Sequence, residues 1–274
     1  MITNSEKINL LVIGKNSILC QIFLDNTKIK HFSTYSRKDL KKINFKIYTH
    51  VINFSFNPIL KKNKYKKKFD FDSKLSKIVK SYSMIYIMIS TRLVYSDIKK
   101  KLSERIRIYK PVTNYGKNKL IIEKNIKKKN PFKYLILRVS NILYNNIRTK
   151  KNLFFYKVLN SLRNNNQILL NFNSSTFKDF ITPQYFANCL DYLIITQSIG
   201  TFNLCSGLRI NVMDLVKKII KGYGKGEVIC TDKEQNNESF LMCNKKLKKK
   251  TNILLSSEQI NKYAVRMGRS IKNG

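Results

Sequence analysis

The residues best suited to do chemistry are a tyrosine and a lysine four positions apart, Tyr115 and Lys119 in the segment YGKNK. On a helix this spacing places both side chains on the same face. A lysine ammonium stabilises the phenolate of a neighbouring tyrosine, which can then exchange a proton with an alcohol or sugar hydroxyl. Thr91 ends a predicted buried strand upstream and can hydrogen-bond the same oxygen. Taken alone, the pair is better explained as part of a lysine-rich surface, and only its context favours chemistry.

A glycine after the first predicted strand marks a second candidate site. The apolar run INLLVI (residues 8–13) predicts a buried parallel strand, and Gly14 follows it. Glycines at such a turn let the backbone approach a dinucleotide pyrophosphate, and the next helix offers its N–H groups. Ser17 and Cys20 occupy the second and third glycine positions of this pattern. Gly14, Asn16 and Ser17 are therefore candidate cofactor-binding residues, with a simple strand-to-helix turn as the alternative.

Strand and helix patterns alternate along the first half of the chain. Further apolar runs of strand length lie at residues 31–34, 48–54, 84–89 and 134–139, and helix patterns lie at 18–24, 71–79 and 114–129. This alternation predicts an α/β fold, a Rossmann-like doubly wound parallel sheet. We expect a nucleotide-binding domain over residues 1–150. A smaller substrate-binding part is expected over 151–274, with segments near 180–206 returning to the core.

Five stretches occur in the order found in a known enzyme family. They are ISTRLVYS (89–96), YGKNKLIIEK (115–124), LRVSNILY (137–144), FKDFIT (177–182) and FNLCSGLRINVMDL (202–215). Over about residues 8–250, the chain resembles the extended short-chain dehydrogenase/reductases, specifically the NAD(P)-dependent sugar-nucleotide epimerase, dehydratase and reductase branch. The resemblance implies a Rossmann domain for the cofactor and a small C-terminal part for a nucleoside-diphosphate sugar.

The resemblance also implies roles for individual residues. Thr91, Tyr115 and Lys119 match the catalytic Ser/Thr, Tyr and Lys of the family. Tyr115 would be the acid/base, Lys119 would hold the nicotinamide ribose, and Thr91 would bind the reacting oxygen. Asn141 matches a substrate-binding asparagine. Lys178 replaces an arginine and can still meet a phosphate, as a point charge rather than a bidentate fork.

Two further positions bear on the reaction and the cofactor. Family 4,6-dehydratases carry Asp-Glu where this chain has Arg92 and Leu93, so the resemblance disfavours a dehydratase. It favours a keto-sugar reductase first and an epimerase second, in surface-polysaccharide precursor synthesis. Arg37 follows the second predicted strand, where arginine accommodates the 2′-phosphate of NADP and an acidic residue would bind the ribose of NAD. NADP is thus favoured over NAD, with a solvated arginine as the alternative.

Charge is the unusual feature of the composition. The chain has 54 Lys+Arg against 16 Asp+Glu, a net charge of +38. A polyanion partner and an AT-rich genome, which favours Lys, Ile and Asn codons, both account for this bias. Basic runs lie on separate segments, at residues 61–68, 99–101, 127–129 and 245–250. Only Tyr65 interleaves an aromatic ring with them, so we expect solvated loops and helix ends rather than a nucleic-acid site.

Two alternatives to an enzyme stay open at this point. Ser17 and Cys20, in place of glycines, are compatible with a catalytically degenerate Rossmann binding module. The net charge is compatible, less strongly, with a polyanion-binding or nucleic-acid-binding protein.

The remaining composition bears on metals and location. Five cysteines without a C-x-x-C pair and two histidines predict neither a disulfide framework nor a metal site. No apolar run approaches the ~20 residues of a membrane span, and the N-terminus lacks a signal peptide's apolar region. We expect a cytoplasmic protein without a membrane span. Members of the resembled family often form homodimers through the helix that corresponds to the one carrying Tyr115.

Overall fold

The computed structural model describes residues 8–95, 101–106, 109–130, 133–144, 154–171, 173–230 and 239–272. Ser96 of the segment 89–96, and Lys99 and Lys100 of the basic run 99–101, lie outside these residues. In chain order the strands are β1 (Leu10–Ile13), β2 (Phe32–Tyr35), β3 (His50–Asn53), β4 (Ile85–Thr91), β5 (Tyr134–Val139), β6 (Asn141–Ile142), β7 (Gln167–Leu170), β8 (Phe177–Lys178), β9 (Phe180–Ile181), β10 (Gly200–Leu204), β11 (Ile210–Asn211) and β12 (Glu227–Cys230). The helices are α1 (Ile18–Leu24), α2 (Ile59–Lys62), α3 (Phe71–Ser81), α4 (Asn114–Lys129), α5 (Phe154–Asn165), α6 (Pro183–Ile195), α7 (Val212–Tyr223), α8 (Lys245–Thr251) and α9 (Ser257–Lys272).

Six parallel strands form the central sheet in the order β10-β5-β4-β3-β1-β2. The chain runs outward from β1 to β2 and then crosses to β3 on the other side of β1. The order therefore reverses between β1 and β3, and in open α/β sheets ligands bind beyond the carboxyl ends of the strands at such a point. The predicted doubly wound parallel sheet is confirmed.

Helices cover both faces of this sheet because its strands are apolar on both sides. In β1, Leu10 and Val12 pack with α1, α6 and α8 on one face. Leu11 and Ile13 pack with α2, α3 and α4 on the other face. α6 and β10 therefore belong to the core around the sheet, although they come late in the chain. A separate apolar cluster joins α5, α7 and α9 with β7.

Several predicted segments differ in detail from the structure. The lysine-rich segment 245–250, predicted as a loop or helix end, lies within helix α8, because Leu247 and Thr251 are buried one turn apart on its inner face. The basic run 61–68 likewise begins inside α2, which buries Leu60. The short strand β12 had no clear sequence pattern and pairs in parallel with β7. Within the described ranges, no helix is both long and apolar enough to cross a membrane.

A buried ion pair ties α4 to the sheet. The Arg138 guanidinium on β5 donates from Nη2 to Glu123 Oε2 at 2.7 Å and from Nε to Oε1 at 3.1 Å. Ser90 on β4 donates to the same carboxylate at 2.6 Å. Both charged side chains are at most 1% exposed. Removing one partner of such a pair leaves an uncompensated buried charge, so the pair fixes the position of α4 over β4 and β5.

Replacing Glu123 with Gln should lower the free energy of unfolding by about 3–5 kcal/mol, because Arg138 keeps its charge without a counterion. Urea denaturation followed by circular dichroism measures the change. The control is Glu258→Gln, in the ion pair with Lys262, whose side chains are 74% and 68% exposed. This control should leave stability unchanged, because exposed pairs contribute little. Equal losses in the two variants would contradict the role given to Glu123.

Candidate functional site

The first turn of α4 lies directly on the end of β4. A Cβ on Gly116 would be 2.0 Å from the Leu93 carbonyl oxygen, in the short turn that follows Thr91. Thr113 caps α4 by accepting a hydrogen bond from Gly116 N–H at 3.1 Å. Glycine is therefore needed here for close approach, and the contact places the helix residues next to Gly116 beside the carboxyl end of β4.

Lys119 reaches from α4 into the sheet. Its ammonium donates to the Ile89 carbonyl oxygen of β4 at 2.8 Å and lies 3.7 Å from Asp72 Oδ2. The residue is 3% exposed. A lysine so buried is uncommon unless it is paired. This anchoring positions the ammonium two residues before Thr91 along the strand.

Tyr115 and Thr91 lie on the two elements that meet at this junction, the start of α4 and the end of β4. Tyr115 is half-buried, one helical turn before Lys119, with its ring edge-on to Phe56 at 5.1 Å between centroids. The same Phe56 ring lies 4.6 Å from the Lys119 ammonium. Thr91 is 9% exposed, and its hydroxyl oxygen accepts from Leu93 N–H at 3.3 Å. The structure thus gathers the three predicted catalytic residues at the carboxyl end of β4.

The Gly14 turn lies at the neighbouring strand ends. Gly14 has φ +102°, and a Cβ there would be 2.7 Å from Ser55 N, just beyond β3. Only glycine combines this backbone conformation with so close an approach. Asn16 is exposed, and Ser17 precedes α1 without a side-chain capping bond. The first turn of α1 therefore keeps backbone N–H groups that Ser17 does not satisfy, beside the switch between β1 and β3.

Arg37 is exposed just after β2. Ser36 and Asp39 form a reciprocal cap around it: Asp39 Oδ2 accepts from Ser36 N–H at 3.1 Å and from its hydroxyl at 2.6 Å. These bonds lower the pKa of Asp39, because they favour the ionised carboxylate. The sequence analysis did not single out Asp39, and its carboxylate stabilises the turn after β2 by accepting hydrogen bonds from Ser36.

The two predicted substrate-binding residues lie on short strands beyond the sheet. Asn141 begins β6, directly after β5, and pairs with Phe180 of β9. Lys178 lies on β8, two residues before Phe180, and pairs with Ile210. Asp179, between Lys178 and Phe180 in the sequence, accepts hydrogen bonds from the N–H groups of Ser206 and Gly207 at 3.0 and 2.8 Å. Burial raises the pKa of Asp179 to about 6, against the effect of these donors. Asp179 therefore braces the loop beside the predicted substrate residues.

Asp72 and Phe56 are the residues at this site that the sequence-based prediction missed. Asp72 lies in the first turn of α3, and its position relative to Leu75 and Val79 follows the spacing of the buried face. An acidic residue on an apolar stripe was the available clue. Phe56 follows β3 in a loop and carried no comparable pattern.

Comparisons with known proteins find the fold but no sequence relative. No protein-family model matches the sequence, and no curated protein matches it significantly. A UDP-N-acetylglucosamine 4-epimerase from Methanobrevibacter ruminantium, solved with UDP-N-acetylmuramic acid, matches with a TM-score of 0.80 and 12% identity, over 97% of this chain and 98% of that one. A dTDP-4-dehydrorhamnose reductase from Clostridium acetobutylicum matches with a TM-score of 0.77 and 17% identity, over 97% of this chain and 100% of that one. A dTDP-glucose 4,6-dehydratase from Bacillus anthracis, solved with NAD, matches with a TM-score of 0.74 and 15% identity, over 96% of this chain and 97% of that one. At these identities the likeness shows the fold, and one fold spans all three named activities.

The Gly116 contact generates a test of how the site is assembled. Gly116→Ala would force the first turn of α4 away from Leu93 and should cost about 1–3 kcal/mol of stability, as overpacking does. Thermal denaturation checks this, with Lys117→Ala on the exposed side of the same turn as the matched control. A Gly116→Ala protein as stable as the control would show that α4 does not rest on the end of β4.

Proposed function

We propose that this chain is an NAD(P)-dependent member of the extended short-chain dehydrogenase/reductases that acts on a nucleoside-diphosphate sugar. One observation carries the proposal: Thr91, Tyr115 and Lys119, predicted as catalytic from the sequence, converge at the carboxyl end of β4, beside the switch point. The likeness to solved sugar-nucleotide enzymes over nearly the whole chain supports it.

The proposed chemistry is reduction of a keto sugar, with epimerisation as the second choice. Tyr115 donates a proton to the carbonyl oxygen as hydride reaches the carbonyl carbon, so that the C=O bond becomes an alcohol. The Lys119 charge stabilises the phenolate that remains on Tyr115. The Thr91 hydroxyl accepts from Leu93 N–H, and its hydrogen can therefore be donated to the reacting oxygen. The reverse proton movement serves oxidation, the first half of an epimerisation.

The cofactor that fits this arrangement is a nicotinamide dinucleotide. When bound, it supplies or accepts the hydride. Gly14, Asn16 and Ser17 would hold its phosphates, because the glycine turn brings the backbone to the switch point together with the first-turn N–H groups of α1, which the Ser17 side chain does not cap. Lys119 and Tyr115 would hold the ribose. Exposed Arg37 favours NADP over NAD, since the nearby Asp39 carboxylate is bonded to Ser36.

The substrate part of the proposal concerns the second half of the chain. Asn141, in the proposed cofactor domain over residues 1–150, and Lys178, in the proposed substrate-binding part over 151–274, would bind the diphosphate of the sugar nucleotide from the two sides. Arg92 and Leu93 disfavour a 4,6-dehydratase. The proposed setting is cytoplasmic synthesis of surface-polysaccharide precursors, by a homodimer.

Tyr115→Phe should abolish most turnover while leaving the fold intact, because only the phenolic hydroxyl group is removed. The loss expected for a general acid is about 10²–10⁴-fold in kcat. NADPH oxidation with a panel of keto-sugar nucleotides measures it, and Tyr192→Phe, at an exposed tyrosine on α6, is the control. Unchanged turnover in Tyr115→Phe would refute the assigned acid.

A catalytically degenerate binding module is the second candidate. It is favoured by the enclosure of the Lys119 ammonium by Ile89, Asp72 and Phe56, and by Ser17 and Cys20 in place of glycines.

Thermal shift with NADPH and NADH separates the two candidates. A ligand present at 100 times its Kd stabilises the folded protein by about 2.7 kcal/mol, which should raise Tm by several degrees. Gly14→Val, which blocks the turn, should lose this shift. Stabilisation without turnover of any sugar nucleotide would favour the binding module, and no stabilisation by either nucleotide would contradict the cofactor assignment.

A further inference from the structure

We propose that the outer side of α3 and α4, together with the basic run 61–68 beside them, is a docking surface for an anionic lipid membrane. The sequence predicts solvated loops and helix ends for this run. The structure instead places it within a larger charged surface, on the side of α4 that faces away from the sheet. Docking through this surface is independent of the proposed catalytic function, which uses the inner side of α4.

The charged side chains exposed on this layer are all positive. Residues 59–81 and 112–130 contain three carboxylates, at Asp70, Asp72 and Glu123, and each is buried and bonded inside the protein. The exposed charges are twelve lysines, which together form the lysine face: Lys61, Lys62, Lys64, Lys66, Lys67, Lys68, Lys74, Lys77, Lys80, Lys117, Lys124 and Lys128. Their charges therefore have no exposed counterion within these two segments.

Hydrogen bonds hold the basic run against α4. Three asparagine side chains spaced along the helix donate to the start of the run, at 2.7 to 3.1 Å: Asn114 to the Lys62 carbonyl, Asn118 to the Leu60 and Asn63 carbonyls, and Asn125 to the Tyr65 hydroxyl. Tyr65 in turn donates to Asp70 at the start of α3 at 2.7 Å. A block of like charges that is merely solvated repels itself and is usually disordered. Here the backbone of the run is fixed, so the positions from which its lysines project are set before a partner binds.

Compositional bias does not account for this arrangement. An AT-rich genome raises the lysine content of the whole chain, but it does not remove carboxylates from one surface. α6, on the other face of the sheet, contains no lysine or arginine. On α9, exposed Glu258 pairs with Lys262. Clustered like charges repel one another, and an anionic surface bound against the lysine face would relieve that repulsion.

The side chains between the lysines favour a membrane over a nucleic acid. Residues 59–81 and 112–130 contain no arginine, which binds phosphates and bases through its planar fork, and no exposed aromatic ring to stack on a base. They expose aliphatic side chains instead: Ile59 is 43% exposed, Val112 is 69% exposed and Ile121 is 36% exposed. Lysines interspersed with apolar side chains suit an interface of anionic headgroups and acyl chains.

A second copy of this chain is a poor occupant of the same surface. Two copies joined here would bring the lysine faces of both together, without exposed carboxylates from residues 59–81 or 112–130 to separate them. Like charges brought together across an interface oppose association. The proposed homodimer would therefore use another face.

The test is cosedimentation of the full chain with lipid vesicles at about 0.15 M ionic strength. One vesicle is pure phosphatidylcholine, and the other has three parts phosphatidylcholine to one part phosphatidylglycerol. We expect binding to the anionic vesicle alone, and the binding should weaken as salt is added, because exposed charges are screened. Absence of binding to the anionic vesicle, or equal binding to both vesicles, would overturn the proposal.

A charge variant tests whether the lysine face is the part that binds. Each lysine near an anionic membrane contributes about fivefold to binding, so the triple variant Lys61→Gln, Lys64→Gln, Lys67→Gln should bind on the order of 100-fold more weakly. The matched control removes the same charge from exposed positions of α7, as Lys217→Gln, Lys218→Gln, Lys221→Gln, and should lose much less. Equal losses in the two variants would refute the assignment to this face. All substituted side chains are exposed, and circular dichroism checks that both variants fold.

An apolar variant separates a membrane from a nucleic acid. Ile59→Ser combined with Val112→Ser should weaken vesicle binding severalfold, because both exposed side chains lose their contact with the acyl chains, while all twelve lysines remain. Unchanged vesicle binding in this variant would contradict a membrane contact. Wild-type protein that binds duplex DNA or single-stranded RNA more tightly than the anionic vesicle, at the same salt, would show that the surface serves a nucleic acid and would overturn the proposal.

Discussion

The contact between the Gly116 backbone and the Leu93 carbonyl is the constraint on which the site depends. No side chain fits between them, so the first turn of α4 must lie against the end of β4. That contact brings the start of α4, which carries Tyr115, to the end of β4, which carries Thr91. One turn later, Lys119 reaches the Ile89 carbonyl. The Arg138–Glu123 pair fixes the same helix two turns further along, so α4 is held to the sheet at both levels.

The few acidic residues of this basic chain do much of the internal organisation. Glu123 pairs with Arg138, Asp72 faces Lys119, and Asp179 braces the loop at Ser206 and Gly207. All three carboxylates are buried. The surface is therefore even more one-sided in charge than the composition suggests. Such a surface attracts anionic nucleotides, and the attraction weakens with salt because exposed charges are screened.

The sheet and its covering helices were predictable because short apolar runs alternate with segments of helical spacing, and α1, α4 and β5 match their predicted bounds. The helix α8 was not predictable, because five of its seven residues are lysines and only Leu247 and Thr251 form a buried face. At the site, Tyr115, Lys119 and Gly14 carry spacing or backbone requirements that a sequence displays. Asp72 and Phe56 act through contacts between distant elements, which local spacing does not specify.

The most direct test of the account is transfer of deuterium from NADPH labelled at nicotinamide C4 to a keto-sugar nucleotide. Both labelled C4 epimers are incubated with the protein, and the sugar is examined by mass spectrometry. The account predicts that one epimer labels the former carbonyl carbon with one deuterium and that Tyr115→Phe abolishes the transfer. Undiminished transfer in Tyr115→Phe, or no transfer from either epimer to any keto-sugar nucleotide, would contradict it.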